Sequence, residues 1–143
     1  MQEFKAEQVI NGTWGQLWYD SEYMAEIMGG KAEISYKKTG IQQACRMMEG
    51  QKITGLEAKG EFKIYHINSR VMKKELDALK QGKTATHTII MKVADPDAIG
   101  AEMVALYNCV LDKVILADFE SGKMGERSYG FSFDGWEPLE TIA

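Results

Sequence analysis

Residues 56–67 read LEAKGEFKIYHI and carry a clear alternating pattern. From Glu57 to Lys63 the odd positions alternate Glu and Lys, whereas from Ala58 to Ile64 the even positions are Ala, Gly, Phe and Ile. Side chains of a strand point alternately to opposite faces, so one face here is apolar and the other carries alternating charge. The pattern predicts a strand of an antiparallel sheet with one face on a core and the other in water.

Further strand signals surround this stretch and predict a mainly β fold. Turn signals at Asp20-Ser21, Gly29-Gly30 and Ser121-Gly122 separate segments that alternate or are rich in aromatic residues. The predicted strands cover residues 13–20, 23–28, 31–38, 56–67, 85–93, 102–119 (one bent strand or two) and 123–136. Seven or eight short strands at this spacing are typical of a sandwich or a small barrel.

One segment, residues 69–81, has the pattern of an α-helix. Ser69 can cap its start, and Met72, Leu76 and Leu79 recur at helical spacing to form one apolar stripe. We therefore predict a single helix with one apolar stripe.

Residues 39–54, TGIQQACRMMEGQKIT, do not alternate cleanly, although they lie between two good strands. A long irregular insertion in a compact domain is usually functional or disordered, and Met is common where a surface must fit a partner. We interpret the segment as a loop that contacts a partner; the alternative is a loop folded back on its own core. The candidate contact residues are Ile41, Arg46, Met47, Met48, Glu49 and Lys52.

Composition limits the class of protein. The chain has 143 residues with 45% apolar and 27% charged residues, which suits one globular domain. A net charge of -4 argues against a dedicated nucleic-acid binder, which would show a basic face. Two distant cysteines, Cys45 and Cys109, fit a reducing compartment, and no apolar run suggests a signal peptide or a membrane helix. These features predict a soluble protein made in the cytoplasm.

The residues that resemble catalytic or metal-binding motifs do not complete any of them. Residues 82–84, GKT, lack the upstream glycine and the following helix of a phosphate-binding loop. Asp95 and Asp97 lack the partners that a calcium loop needs at its fifth and twelfth positions. His66 and His87 have no ligand at metal spacing. We predict no catalytic residue, no metal and no cofactor, and we predict that the chain is not an enzyme.

Several stretches in order along the chain resemble a known family. Residues 12–18, GTWGQLW, are similar to the opening strand of phage tail tube proteins of the XkdM-like family, and residues 55–82 resemble that family's central strand–helix unit. Residues 95–102, DPDAIGAE, resemble a loop in tube proteins of clostridial R-type, diffocin-like bacteriocins, as do residues 116–120, LADFE, and the closing residues 130–133, GFSF. The likeness covers nearly the whole chain.

This resemblance implies a fold of two packed antiparallel sheets with one flanking helix. It implies hexameric rings that stack into the inner tube of a contractile phage tail or bacteriocin, a conduit for DNA or ions. The implied partners are further copies of the chain, the tail sheath protein, the baseplate initiator, the tail terminator and the tape measure protein, with DNA only as passing cargo and no membrane insertion. Synthesis in the host bacterial cytoplasm and assembly in a tail particle follow.

The resemblance also assigns regions of the chain. It implies a single tail-tube domain at residues 1–143, with an N-terminal arm at 1–11, an inter-subunit and inter-ring loop at 39–54, and a C-terminal tail at 137–143. The lumen of such a tube is expected to be polar and net negative, so that DNA phosphates slide rather than adhere. The candidate lumen or subunit-interface face is Glu57, Lys59, Glu61 and Lys63, although its charge is balanced.

Two hypotheses from other classes remain open at this point. In the first, the chain is a small-ligand-binding β-barrel in which Trp14, Trp18 and Trp136 line a cavity; aromatic residues on strands are more often core or interface. In the second, it is an enzyme with an unrecognised site. Rings or tubes in electron micrographs distinguish the structural protein from both.

Overall fold

A computed structural model describes residues 3–142, which form eight strands, one α-helix and two short 3-10 turns at Ala6–Gln8 and Gly12–Trp14. The strands and the helix are β1 (Gly15–Tyr19), β2 (Glu22–Tyr23), β3 (Ile27–Ile41), β4 (Gly50–Tyr65), α1 (Arg70–Lys80), β5 (His87–Val93), β6 (Glu102–Leu111), β7 (Glu126–Ser132) and β8 (Gly135–Glu140). The mainly β class and the single helix at about 69–81 are confirmed.

All strand pairs are antiparallel, and β6 joins the two packed layers into one sheet. The strand order is β2-β1-β5-β6-β7-β4-β3, with β8 also paired to β6. Most of β6 pairs with β5 on one side and β8 on the other, whereas its last residues, Val110 and Leu111, pair with β7. The expected two sheets are therefore the two halves of a single eight-stranded sheet.

The core lies where the two halves face each other. Phe62 and Ile64 of β4 are buried, as the alternation predicted, and the ring of Phe62 lies 5.9 Å from that of Tyr19 on β1. Tyr129 of β7 completes this contact at 5.4 Å from Phe62. The other buried apolar side chains are Leu17, Met24, Val71, Ile89, Ala105, Leu106, Cys109, Leu111, Phe131 and Phe133.

Residues 39–54 are more regular than the sequence predicted. β3 continues to Ile41 and β4 begins at Gly50, so that only residues 42–49 are irregular. The predicted break at Gly29-Gly30 is also wrong, because β3 runs through it with a register shift between Ile27 and Gly29. Here glycine permits close packing: a Cβ on Gly30 would lie 3.3 Å from Cε of Met91.

The chain after residue 102 also differs from the expectation. β6 ends at Leu111, and residues 112–125 form a connection to β7 instead of a continued strand. The predicted final strand is two strands, and most of the predicted tail at 137–143 belongs to β8, which pairs with β6. Pro138 fits there because β8 pairs on one side only, as edge strands do. Residues 1, 2 and 143 of the expected arm and tail lie outside the described residues.

A polar clamp holds α1 against the sheet. The side chain of His87 is 4% exposed, and its Nδ1 lies 2.7 Å from Oδ2 of Asp20, while its Nε2 contacts Oε1 of Glu75 on α1. Asp20 also accepts a hydrogen bond from the backbone N–H of Thr88 at 2.9 Å. Each ring nitrogen of this buried imidazole therefore lies within hydrogen-bond distance of a carboxylate oxygen. Through these contacts the clamp joins α1, β5 and the β1–β2 turn.

We expect Glu75→Ala to lower the free energy of unfolding by about 1–3 kcal/mol, because it leaves a buried ring nitrogen of His87 without its hydrogen-bond partner. Asp77→Ala is the matched control, since Asp77 is an exposed acidic residue of the same helix. Urea unfolding monitored by circular dichroism measures both. Equal stability of the two variants would contradict a structural role for the clamp.

Two glycines of β4 give a second matched pair. A Cβ on Gly60 would lie 2.5 Å from Cζ of Phe131 and 2.7 Å from the carbonyl oxygen of Lys31, whereas a Cβ on Gly55 would meet only Lys37, at 3.5 Å. We expect Gly60→Ala to lower the free energy of unfolding by about 1–3 kcal/mol through overpacking. Gly55→Ala should be neutral or slightly stabilising, because it restricts the unfolded chain. A neutral Gly60→Ala in urea unfolding would show that Phe131 on β7 is packed loosely enough to move aside.

Candidate assembly surfaces

The hairpin formed by β3 and β4 extends past the core. β4 pairs with β7 only from Lys59 to Tyr65, whereas its pairing with β3 continues as far as Gly50 opposite Ile41. We call residues 36–56 the distal hairpin. A two-stranded ribbon without a third strand or a packed face is marginally stable in water. Contacts with another chain are therefore the expected source of its remaining stabilisation.

The distal hairpin exposes several large apolar side chains. Met47 is 99% exposed and Met48 79% exposed, which leaves both side chains in solvent. Contiguous exposed apolar surface marks a site of interaction more often than single exposed residues do. All candidate contact residues of the sequence analysis lie exposed in this hairpin: Ile41, Arg46, Met47, Met48, Glu49 and Lys52.

The end of the hairpin, residues 42–49, has its own hydrogen bonds, and we call it the tip. The side-chain amide of Gln42 donates to the carbonyl oxygen of Arg46 at 2.8 Å. The guanidinium of Arg46 donates to Oε1 of Gln43 at 3.3 Å, and Cys45 adopts a φ of 65° at the bend. These bonds satisfy polar groups inside the tip and leave the methionine side chains uncovered.

The predicted charged face of β4 is exposed, and three of its four charges are paired. Lys59 Nζ lies 2.9 Å from Glu57 Oε1, and Lys63 Nζ lies 3.3 Å from Glu126 Oε2 on β7. The hydrogen bond from Lys59 lowers the pKa of Glu57, and the same bond raises the pKa of Lys59, so both stay charged at neutral pH. Glu61 is exposed on the same face. The face is therefore strongly polar with nearly balanced charge.

Two long strand edges have no partner within the described chain. β3 is 15 residues long and pairs only with β4, and the 6-residue β8 pairs only with β6. The third edge, β2, has only 2 residues. Monomeric proteins keep exposed edges short or block them, because an open edge is a template for another strand. β3 and β8 are thus candidates for pairing with a second chain.

An open groove of about 460 Å³ lies between these two edge strands. Tyr36 of β3 and Trp136 of β8 line it, together with Phe133 from the core side. Trp18 instead packs on Tyr23, at 5.4 Å between ring centroids. The tryptophans therefore do not line one shared cavity, as the ligand-binding hypothesis required, and the groove is a further candidate contact surface.

The other polar groups that the sequence singled out have structural surroundings. Asp95 accepts hydrogen bonds from the backbone N–H groups of Asn11 and Asp97, both at 2.9 Å, and so ties the N-terminal segment to its loop. His66 is exposed, whereas His87 is buried. Across residues 3–142, no group of three or more His, Cys, Asp or Glu side chains could hold a metal ion. In the same part of the chain, no helix is long and apolar enough to cross a membrane.

We expect a maleimide to modify Cys45 and not Cys109 in the native protein at pH 8. Cys45 is exposed in the tip, whereas Cys109 is buried and its burial raises the pKa of the thiol to about 11. A thiol reacts as its thiolate, so both burial and the high pKa protect Cys109. Mass spectrometry should find one adduct on the native protein and two after denaturation in guanidinium. Two adducts on the native protein would contradict the buried position.

Long open edges and an exposed apolar hairpin are features of a β protein that associates through its sheets. The model of the family described as phage tail tube protein matches residues 2–140. The chain belongs to the phage tail tube protein family.

Two proteins of Bacillus subtilis are similar to the chain over its whole length. The phage-like element PBSX protein XkdM is 28% identical over 142 residues, which cover 97% of this chain and 96% of XkdM. The uncharacterised protein YqbM is 28% identical over 141 residues, which cover 96% of this chain and 95% of YqbM.

Solved structures share the fold at lower identity. A chain of the extended sheath–tube complex of PVC, an extracellular contractile injection system, superposes with a TM-score of 0.74 at 7% identity and covers 95% of both chains. A chain from the tube-terminating cap of the anti-feeding prophage gives 0.74 at 7% identity, over 98% of this chain and 97% of that one. A Bacillus subtilis protein gives 0.55 at 26% identity, over 96% of this chain and all of its own.

Proposed function

We propose that copies of this chain close into hexameric rings and stack as the inner tube of a contractile phage tail or a phage-tail-like bacteriocin particle. The observation that carries the proposal is the long β3–β4 hairpin, which projects past the core with an open edge and exposed apolar residues. Membership of the tail tube family and the fold shared with chains of contractile particles support it. The role is structural and not catalytic.

Ring closure in this proposal joins sheets of neighbouring subunits. β3 offers one open edge, and on the far side of the same half-sheet β7 pairs with β6 only at Phe131 and Ser132. A neighbour that extends the sheet at β3 meets the less covered edge of β7, and the same contact repeats around the ring. Such a heterologous contact consumes the open edges once the ring closes.

The charged face of β4 lines the lumen in this proposal. When strands of several copies form one barrel, one face of each strand points inward. Glu57 and Lys59 neutralise each other, and so do Lys63 and Glu126. Paired charges give little net field, so the wall neither holds phosphate groups nor strongly excludes them. A wall of this kind suits a conduit through which DNA or ions pass without being bound.

The outer surface and the two ends of the tube meet the other tail components. The similar chains come from a sheath–tube complex and from a tube-terminating cap. We propose equivalent partners for this chain: a tail sheath protein, a terminator, a baseplate initiator and a tape measure protein inside the lumen. The subunit is made in the cytoplasm of the host bacterium and functions in the assembled particle.

A shortened hairpin tests the proposal. Thr39 and Lys52 are directly paired, so residues 40–51 can be replaced by Asn-Gly, which closes a two-residue hairpin turn. We expect this variant to keep the circular dichroism spectrum and the unfolding midpoint of the unchanged protein, because the removed residues lie outside the core. Electron microscopy should show tubes for the unchanged protein and none for the variant.

Two results would contradict the proposal. The first is tubes of normal length from the shortened protein, which would show that assembly does not need the hairpin. The second is an unchanged protein that stays monomeric at every concentration and in the presence of its sheath protein, which would show that the chain does not form a tube.

A further inference from the structure

We propose that the connection at residues 112–125 receives the hairpin tip of another copy of this chain, which lies one ring further along the tube. This inference rests on the proposed tube and names both halves of the contact between rings. We call residues 112–125 the receiving loop.

The tip and the receiving loop lie at opposite ends of the same strand. The tip precedes Gly50, the first residue of β4, whereas the receiving loop leads into Glu126, which pairs with Tyr65 at the other end. A strand of 16 residues spans about 50 Å. Contact surfaces at the two ends of a rigid strand join copies head to tail, and repetition of that contact makes a filament.

Both ends expose large apolar side chains. In the receiving loop, Phe119 is 93% exposed, and Met124 and Leu116 are also exposed. The tip presents Met47 and Met48. The flexible thioether of Met adapts to irregular surfaces and makes favourable contacts with aromatic rings. The two ends therefore offer matching apolar groups that neither end covers within its own subunit.

Two hydrogen bonds anchor the receiving loop to the rest of the subunit. Nη1 of Arg127, a residue that is 6% exposed, donates to the carbonyl oxygen of Asp118 at 2.9 Å. The backbone N–H of His66 donates to the carbonyl oxygen of Gly125, also at 2.9 Å. Between the loop and His66 lies a groove of about 480 Å³ that Phe119 and Met124 help to line. Because these hydrogen bonds fix the loop, the groove keeps its shape and can accept side chains of another copy.

The two ends carry charge of opposite sign. In the distal hairpin, cationic residues outnumber the single acidic one: Lys37, Lys38, Arg46 and Lys52 against Glu49. In the receiving loop, acidic residues outnumber basic ones by one, and Lys123 is paired with Glu120 at 3.0 Å: Asp112, Asp118 and Glu120 against Lys113 and Lys123. Complementary charge steers two surfaces together and selects against wrong pairs.

The charge distribution also selects the head-to-tail arrangement. A two-fold contact would place one distal hairpin, which has a net positive charge, on another, or one receiving loop, which has a net negative charge, on another. Like-charge juxtaposition is unfavourable, whereas hairpin on loop brings opposite net charges together and covers both apolar sets at once. The occupant of the receiving loop is therefore the tip of a second copy.

Cross-linking tests this contact in the assembled protein. Cys45 provides a native thiol in the tip, and Ser121→Cys adds one in the exposed turn of the receiving loop, while Cys109 is buried. We expect a short bismaleimide to convert tubes of the Ser121→Cys variant into a ladder of dimers, trimers and higher multimers on a denaturing gel. The unchanged protein and the double variant Cys45→Ser, Ser121→Cys should give no ladder.

The outcomes separate this inference from the proposed function. Intact tubes with no ladder, or with dimers only, overturn the head-to-tail contact and leave the tube standing. A protein that forms no tubes and no ladder overturns both.

Charge reversal gives an independent measurement. We expect Arg46→Glu to raise the protein concentration needed for tube formation about tenfold, equivalent to about 1.4 kcal/mol per contact. Adding Asp118→Arg to that variant should restore tube formation to within about threefold of the unchanged protein, because the pair regains opposite charges. Lys113→Glu is the control for a change of charge next to β6. Additive losses in the double variant would show that Arg46 and Asp118 do not meet.

Discussion

β4 has 16 residues and is longer than the core it helps to build, because it pairs with β7 only from Lys59 to Tyr65. At one end, Phe62 and Ile64 pack between the two halves of the sheet. From Ala58 back to Gly50 the same strand has β3 as its only neighbour. One unbroken hydrogen-bonded ladder therefore contributes both to the folded domain and to the projecting hairpin. A contact made at the hairpin is held by the core without any flexible linker, as a rigid tube requires.

Alternation in the sequence predicted the half-buried part of this ladder. It did not predict the part that is exposed on both faces. Alternation from Glu57 to Ile64 is strict because one face touches the core and the other touches water. In residues 39–54 both faces are exposed, so burial imposes no period, and the segment was predicted to be irregular although its ends are paired. β8 was missed for a related reason: as an edge strand with Pro138 it shows no alternation, and its pairing with β6 joins distant parts of the chain.

The candidate contact surfaces were predictable to a similar extent. Met47 and Met48 were predicted as contact residues because their segment shows no alternation and because Met is common on surfaces that must fit a partner. Phe119 was not singled out, because an apolar residue after β6 is indistinguishable by composition from a continued strand. The clamp at His87 left no signal at all, since Asp20 lies 67 positions away and Glu75 only 12, neither at a spacing that a motif records. Chemistry that tertiary contacts assemble is invisible to local patterns.

Two populations of apolar residues result, and they serve different equilibria. The buried set between the half-sheets stabilises the subunit, whereas the exposed set at the two ends of β4 is available for the contacts between copies in the proposed tube. A subunit with open edges and uncovered methionines risks indiscriminate association. Opposite charge at the two ends limits that risk, because like ends repel one another before apolar groups can meet. The charges of the β4 face nearly balance, so this face attracts neither the hairpin nor the receiving loop of another copy. In the proposed tube, the specificity of assembly therefore arises from where the charges lie on the subunit and not from their total.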